Sequence, residues 1–141
     1  MVIRKLEAMD FKAGFFETLE NLSSLEGLTV ERASQILQEI STNPFYHIFV
    51  VEGRGQIVGA TTLLVEQKFI HNGGRVGHIE DVATRKGWER RGIGSDVVRC
   101  AIAEARKERC YRIVLNCSEE KIPFYERLEF ERHGFSMRFD L

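Results

Sequence analysis

The sequence lacks the marks of several large classes of protein. No apolar run approaches the length of a membrane-spanning helix, and the chain does not open with a signal-peptide pattern. Charges of the two signs nearly cancel, with 20 basic and 21 acidic side chains and a formal net charge of −1. Such a balance gives no overall field that would favour nucleic acid or an anionic membrane. We therefore expect a protein that binds neither, located in the cytoplasm, with an organelle as the alternative.

Cysteine is also scarce. Cys100, Cys110 and Cys117 are an odd number without the spacing of a disulfide framework, which predicts reduced thiols. The segment His78-x-Glu80 is typical of zinc deaminases, but those enzymes also need Pro-Cys-x-x-Cys downstream, and this chain has none. We therefore expect no metal, and we expect His78 to be a strand histidine with a structural partner.

Two common nucleotide-binding motifs are missing as well. A Walker A loop needs Gly-Lys-Ser/Thr after a longer glycine-rich run, and a dinucleotide fingerprint needs Gly where this chain has Val97. What is present is the turn Gly92-x-Gly94 before an amphipathic helix. Free backbone N–H groups and the helix dipole make such a turn an anion site, which Arg90 and Arg91 would strengthen. By itself the turn fits equally well a loop that uses glycine for tight packing.

The order of elements follows from apolar periodicity and turn residues. Strands are predicted over 2–7, 47–52, 56–69, 76–84, 111–117 and 134–139, with a hairpin turn at 53–55 and a bulge at Gly59. Helices are predicted after the caps Asp10, Thr29 and Ser118 and after Gly92. The last of these has an apolar stripe: Ile93, Val97, Val98, Ala101, Ile102 and Ala105. The pattern indicates a single α/β domain over residues 1–141, with a mixed sheet flanked by helices.

Glu80 and Asp81 place two carboxylates side by side in the central predicted strand. Adjacent strand residues point to opposite faces of a sheet, and buried acids are costly without a partner. The pair therefore indicates either a strand end that reaches solvent or a functional site.

Several motifs together resemble the GNAT acyl-CoA N-acetyltransferase family. They are Arg91–Ser95 after a strand and, further on, Phe124-Tyr125 followed by Phe130. The stretches 15–19, 68–71, 77–82 and 110–113 are similar to the glucosamine 6-phosphate N-acetyltransferase subfamily, and the match runs nearly end to end. The resemblance implies the GNAT fold and transfer of acetyl from acetyl-CoA to the amine of D-glucosamine 6-phosphate, a step towards UDP-N-acetylglucosamine.

The resemblance also implies where acetyl-CoA binds. The loop before the central helix would wrap the pyrophosphate, and the pantetheine would lie between the fourth and fifth strands, bonded to strand backbone. The implied residues are Val82, Ala83, Thr84, Arg90, Arg91, Gly92, Ile93, Gly94, Ser95, Tyr125 and Arg127. Glu89 stands where relatives commonly carry Gln or Arg, and it is not expected to bind phosphate.

By the same resemblance, the neutral amine attacks the thioester directly. Tyr125 would protonate the departing thiolate, and the Val82 backbone N–H would stabilise the oxyanion. Asp81 would fix the sugar hydroxyls or the amine, and Glu80 would accept a proton directly or through water. Asn116 stands where relatives often carry an acid, so it keeps hydrogen bonding but has no base role.

The resemblance also implies contacts to the sugar and its phosphate from Lys68, His71, Tyr111 and Arg112. Ser23 and Arg138 are weaker candidates for the same role. The alternative for each is a solvated surface side chain. Lys121 and Asp140 depart from the residues that relatives carry, and neither is given a role. In the family, the Tyr111-Arg112 contact and the last strand come from the neighbouring subunit, which implies a homodimer with shared sites.

Two rival functions remain open. The first is a GNAT enzyme for another amine, such as a polyamine or a protein N-terminus. The acidic pair alone would suit such a cationic substrate, whereas Lys68, His71 and Arg112 favour an anionic one. The second rival is a non-catalytic acetyl-CoA-binding or dimerisation module, against which Tyr125 and the intact glycine turn argue.

Overall fold

A five-stranded sheet forms the centre of the molecule in a computed structural model that describes all 141 residues. Its strands lie in chain order: β1 (Val2–Lys5), β2 (Tyr46–Gly53), β3 (Gln56–Gln67), β4 (Arg75–Thr84) and β5 (Cys110–Val114). Strands β1 to β4 are antiparallel to their neighbours, and β5 is parallel to β4. The predicted mixed sheet is confirmed, with helices packed on both faces.

One face of the sheet is covered by the long helix α4 (Ile93–Lys107). The predicted stripe is confirmed, since all its members are buried except Ile102, which is partly buried. The contact with β3 is so close that a Cβ at Gly59 would overlap Ile93 Cγ2. The register of β2 with β3 shifts beside Gly59, which confirms the predicted bulge.

The other face is covered by a 3-10 helix (Ala8–Lys12), α1 (Phe15–Leu19) and α2 (Val30–Ser41). The apolar side chains buried between these helices and the sheet are Phe11, Phe15, Ala33, Val50, Ile57 and Ala60. Thr29 caps α2 as predicted, because its hydroxyl accepts the Arg32 N–H at 3.1 Å. None of the helices combines the length and the apolar character needed to cross a bilayer.

Asp10 is not the N-cap that the sequence predicts. It lies inside the 3-10 helix, 1% exposed, and its carboxylate accepts the Glu7 N–H and two guanidinium bonds from Arg4, each at 2.8 Å. Arg4 also donates to Glu52 at 2.9 Å. Burial alone would raise the pKa of Asp10, but the Arg4 and Glu7 hydrogen bonds outweigh it and hold the pKa below its ordinary value. Asp10 thus joins β1, β2 and the helical layer.

The C-terminal part differs most from expectation. After β5 come a 3-10 helix (Glu119–Lys121) and α5 (Ile122–Glu126), and then an extended tail. Ser118 occupies the predicted N-cap position, but its side chain makes no capping hydrogen bond. The strand predicted over 134–139 is not formed in the single chain, and Phe135, Met137 and Phe139 are 87–100% exposed. A strand needs a hydrogen-bonded neighbour, and the tail has none here.

Candidate active site

The two strands at the parallel edge of the sheet separate part-way along β4. Their pairing begins at Arg75 with Cys110 and ends at His78 with Val114. Beyond His78, β4 continues to pair with β3 alone. Its other backbone edge therefore has no strand partner and is open to an extended ligand. This is the geometry that the predicted pantetheine position requires.

At this opening, β4 carries a bulge centred on Asp81. Asp81 and Val82 together stand opposite the single residue Thr61 of β3. Asp81 adopts left-handed backbone, with φ 52°, which is uncommon for a residue with a side chain. The buried Thr61 hydroxyl donates to the Glu80 carbonyl at 3.1 Å. Unfavourable backbone of this kind is concentrated at functional sites.

The bulge begins directly after Glu80, and the expectation that Glu80 and Asp81 face opposite sides of the sheet stays a prediction. That prediction assumes regular strand backbone, and the extra residue interrupts the alternation. Both side chains are exposed, and neither takes part in a salt bridge. Both carboxylates are therefore available to a ligand.

The predicted anion turn lies at the start of α4. Gly92 is the N-cap, with φ 80°, and Asp96 N–H donates to its carbonyl at 2.9 Å. The preceding amides, those of Ile93, Gly94 and Ser95, are the first-turn groups that a helix leaves unpaired. The Ile93 side chain is buried, so only its backbone can meet a ligand. A Cβ at Gly94 would lie 3.3 Å from Phe124 Cζ, so glycine here allows α5 to approach α4.

Unpaired positive charge surrounds this turn. Arg90 is exposed, and the Arg91 guanidinium lies 4.8 Å from the centre of the Trp88 ring. Arg54, at the β2–β3 hairpin, lies 5.7 Å from the same ring. The Glu89 carboxylate is turned back onto its own loop, where it accepts the Gly87 N–H at 2.7 Å. Backbone N–H groups of Glu89 and Gly87 lower the pKa of this carboxylate and keep it ionised within the loop.

Tyr125 lies on α5 beside the turn. Its ring packs edge-to-face on Phe124, with centroids 4.9 Å apart, and on Phe130 at 5.8 Å. Burial and, secondarily, the nearby Cys117 thiol raise the pKa of Tyr125 above its ordinary value. The hydroxyl therefore carries its proton at neutral pH, as a proton donor must.

A groove of about 1220 Å³ runs between α4, β5 and α5. It brings together predicted residues from three segments of the chain. Those that line it are Tyr111, Arg112, Asn116, Tyr125 and Arg127, with the free thiol of Cys117.

Of the predicted phosphate contacts, His71 lies against Tyr111, which lines the same groove. His71 lies in α3 (Ile70–Gly73), where it has left-handed backbone, and its ring packs against Tyr111 with centroids 4.3 Å apart and the ring planes tilted by 37°. Gly74 makes this possible, because a Cβ there would lie 2.6 Å from Tyr111 Cδ1. Arg112 follows Tyr111 along β5 and has no carboxylate partner. Lys68 is held by Glu66 at 3.1 Å.

The sequence model of the acetyltransferase (GNAT) family matches residues 13–130 of this chain. It belongs to the GNAT family. Residue identity to glucosamine 6-phosphate N-acetyltransferase of Candida albicans is 34%, over 95% of this chain and 91% of that protein. Glucosamine 6-phosphate N-acetyltransferase 1 of Oryza sativa is 36% identical, over 96% and 84%. The crystal structure of glucosamine-6-phosphate N-acetyltransferase from Arabidopsis thaliana superposes with TM-score 0.95 at 32% identity, covering 99% of this chain and 97% of that one.

Within this GNAT structure, not every predicted residue joins the site. Ser23 is exposed in the turn after α1, and the Asn21 side chain ties that turn to the Thr84 carbonyl at 2.7 Å. Arg138 lies in the tail, where its guanidinium pairs with Asp140 at 2.9 Å. Lys121 ends the 3-10 helix, away from any assigned role. His78 has the structural partner that was predicted, since its Nε2 lies 2.9 Å from Glu66.

The GNAT fold also buries a charged network that sequence reasoning missed. His47 on β2 is 5% exposed, and its ring nitrogens lie 3.6 and 3.7 Å from Glu104 and Glu108 of α4. The three side chains could converge on a metal ion. Their charge is already matched, however, by Lys5 at 3.3 Å from His47, Arg75 at 3.0 Å from Glu108 and Lys107 near Glu104. Burial and then Lys5 lower the pKa of His47. The sequence signal that could have revealed this network is the spacing of Glu104 and Glu108, which lie four residues apart and therefore on the same face of α4.

Proposed function

We propose that this GNAT chain, as a single domain over residues 1–141, transfers acetyl from acetyl-CoA to the amine of D-glucosamine 6-phosphate. The products are N-acetyl-D-glucosamine 6-phosphate and CoA. The observation that carries the proposal is nearly full-length similarity to enzymes of that name, in a structure where β4 separates from β5 just before Glu80 and Asp81. Reduced thiols on all three free cysteines suit the cytoplasm, where we place the enzyme.

Acetyl-CoA is the cosubstrate expected of a GNAT enzyme. The first-turn amides of α4 and the unpaired Arg90 and Arg91 would hold its pyrophosphate. The backbone of β4 from Val82 to Thr84, which has no strand partner on this side, would hydrogen-bond the pantetheine, and Arg127 and Tyr125 would border its far end. The chemistry needs no metal, because protein dipoles and a neutral acid supply the charge stabilisation.

The chemical step needs a neutral amine, an oxyanion donor and an acid. Asp81 would orient the amine and sugar hydroxyls, and Glu80 would take the proton that the amine loses. The Val82 N–H would stabilise charge on the thioester oxygen, and Tyr125 would protonate the departing thiolate. Asn116 would hydrogen-bond near the sulfur without acting as a base. Holding both substrates in one complex would supply much of the acceleration.

We further propose that the enzyme is a homodimer with shared sites. The open edge of β5, the groove of mixed polar and apolar lining beside it and the apolar tail are features that one chain leaves uncovered. Exposed Phe69 and Ile70 lie next to the same region, and a second copy would cover them. The Tyr111-Arg112 pair of one subunit would then complete the sugar-phosphate pocket of the other.

The test compares glucosamine 6-phosphate with unphosphorylated glucosamine, using acetyl-CoA and a thiol reagent. A buried cationic pocket without its anion loses contacts worth on the order of 2–5 kcal/mol. The phosphorylated sugar should therefore have a kcat/KM roughly thirty- to several-thousandfold higher. Arg112→Ala should narrow the gap by weakening only the phosphorylated substrate. Arg32→Ala, which removes a solvated arginine of α2 paired with Glu39, is the control and should leave the gap intact.

The same assay separates the rival functions. Equal use of the two sugars would show that Lys68, His71 and Arg112 are surface charges. A polyamine that reacts better than either sugar would favour the rival GNAT activity, which the exposed Glu80 and Asp81 carboxylates alone would suit. Binding of acetyl-CoA without thiol release from any amine would indicate a non-catalytic module.

A further inference from the structure

We propose that the Thr61 hydroxyl is a positioning group that fixes the β4 bulge and, through it, the acceptor half of the active site. The catalytic consequence rests on the proposed function, whereas the effect on the bulge does not. Thr61 touches neither substrate in this scheme. It acts through the backbone of Glu80, Asp81 and Val82.

The Thr61 side chain is buried beside the bulge and is hydrogen-bonded to it. It lies on β3, 1% exposed, at the one point where that strand faces two residues of β4. Its Oγ1 donates to the Glu80 carbonyl at 3.1 Å, across the strand boundary. A hydroxyl so deeply buried cannot readily exchange this partner for bulk water, so loss of the bond leaves a polar group unsatisfied. As a β-branched residue, threonine also restricts the direction of its hydroxyl.

The bulge needs a stabilising hydrogen bond of this kind because its backbone conformation is unfavourable. Asp81 has φ 52°, a conformation that a side chain makes costly. A slip of one residue would remove the bulge and move every following side chain of β4 to the other face. The Thr61 bond stabilises the bulged register at the residue that immediately precedes Asp81.

Three proposed functional groups emerge from this short segment: the Glu80 carboxylate, the Asp81 carboxylate and the Val82 N–H. A displacement of about 1 Å in catalytic geometry can cost on the order of a hundredfold in rate. The pyrophosphate turn, by contrast, is held separately by Gly92 and the packing of α4. Loosening the bulge should therefore lower kcat far more than it raises the KM for acetyl-CoA.

Three variants separate the hydroxyl from the shape of the side chain. Thr61→Val keeps the shape and removes the donor, Thr61→Ser keeps the donor and removes a methyl group, and Thr61→Ala removes both. We expect kcat with glucosamine 6-phosphate to fall roughly ten- to a hundredfold in the valine and alanine variants. The serine variant should keep kcat within about threefold of wild type. In the valine and alanine variants the KM for acetyl-CoA should rise by less than kcat falls, because Val82 is the only pantetheine contact that lies in the bulge. Full activity in the valine variant with loss in the serine variant would show a packing role and overturn the proposal.

A second measurement does not depend on activity. Amide hydrogen exchange over residues 79–83 should be at least about tenfold faster in the valine and alanine variants than in wild type and the serine variant. Exchange at Val50 and Val51 of β2 is the internal reference and should not change. If wild type fails to acetylate the sugar phosphate, the proposed function fails, and the exchange result still decides the role of Thr61. Unchanged exchange over 79–83 in both variants that lack the hydroxyl would refute that role.

Discussion

The body of the molecule and its C-terminal segment differ in how completely one chain can bury them. In the body, α4 and the strands enclose one apolar cluster, and the N-terminal helices enclose a second on the opposite face. The last buried residue along the chain is Ala105, and none of residues 106–141 is buried. Yet this later part contains Asn116 and Tyr125, which we place at the reacting atoms.

The difference shows that stability and chemistry lie in different regions. The body positions the anion turn and the β4 bulge without help, because every strand in it has a partner. The C-terminal segment presents an open strand edge and an apolar tail, and it would acquire its own core only by contact with another copy. Substitutions in the two regions should therefore have separable effects on folding, association and catalysis.

The largest effect is expected from deleting residues 135–141. Burying an apolar side chain contributes about 1.5–3 kcal/mol, so loss of Phe135, Met137 and Phe139 should weaken the dimer by on the order of 5 kcal/mol or more. That corresponds to more than about a thousandfold in the dimer Kd. Sedimentation should show a monomer that retains the circular dichroism of the body and loses activity. An active monomer at micromolar concentration, with or without the deletion, would contradict the dimer proposal.

Tyr125→Phe comes next in expected size. Ring packing on Phe124 and Phe130 is kept, so the fold should persist, while kcat should fall roughly ten- to a thousandfold as expected for loss of a general acid. Because the pKa of Tyr125 is raised, the wild-type rate should not fall from loss of this proton until the pH exceeds the ordinary tyrosine value near 10.

The matched control for this prediction is Tyr46→Phe, which removes the same hydroxyl from β2 in the body. It should leave kcat unchanged. Equal rates for wild type and Tyr125→Phe would mean that the thiolate departs unaided or that another group supplies the proton.

In the body, Gly92→Asp should act on acetyl-CoA alone. A carboxylate at the N-cap would oppose phosphate where the helix dipole and Arg91 favour it, and the KM for acetyl-CoA should rise about ten- to a hundredfold. Gly92→Asn has nearly the same shape and tolerates the left-handed φ of 80°, so it should raise the KM much less. Equal KM values for acetyl-CoA in the two variants would show that the negative charge of the aspartate does not cause the rise.

The smallest effect on activity is expected from Asp10→Asn, which tests the stability of the body. Loss of the charge-assisted bonds to Arg4 should cost about 1.5–3 kcal/mol of unfolding free energy at neutral pH. The pKa of Asp10 is lower in the folded state, so its contribution is complete above the ordinary value near 3.8 and is lost as the pH falls below it. Chemical denaturation at pH 7 and at pH 3 should show the difference between wild type and variant shrinking in acid.

Asp140→Asn provides the comparison in the other region. Asp140 pairs with Arg138 in the exposed tail, with side chains 73% and 84% exposed, and such a pair contributes little. A loss of stability in this variant as large as that of Asp10→Asn would contradict the division between body and tail.

Much of the body could be predicted from local pattern. The α4 stripe, the Thr29 cap, the hairpin at Arg54-Gly55 and the bulge at Gly59 depend on neighbours within a few positions. The role of Asp10 could not be predicted, since its partner Arg4 reaches it only after β1 has paired with β2. The prediction of a last strand over 134–139 is wrong for the single chain, because an alternating pattern does not provide the hydrogen-bonded neighbour that a strand requires.

The sequence by itself determined the family, the order of the elements along the chain as far as α5, and the position of the glycine turn before α4, since these depend on motifs and periodicities that are contiguous in the chain. Only the tertiary structure decided that Asp81 is left-handed opposite Thr61, that His71 packs against Tyr111, and that Phe124 of α5 lies against the start of α4. Each of these depends on segments far apart in the chain, which meet only when the strands have paired and α4 and α5 have packed. The side chains then take the positions that burial and hydrogen bonding allow.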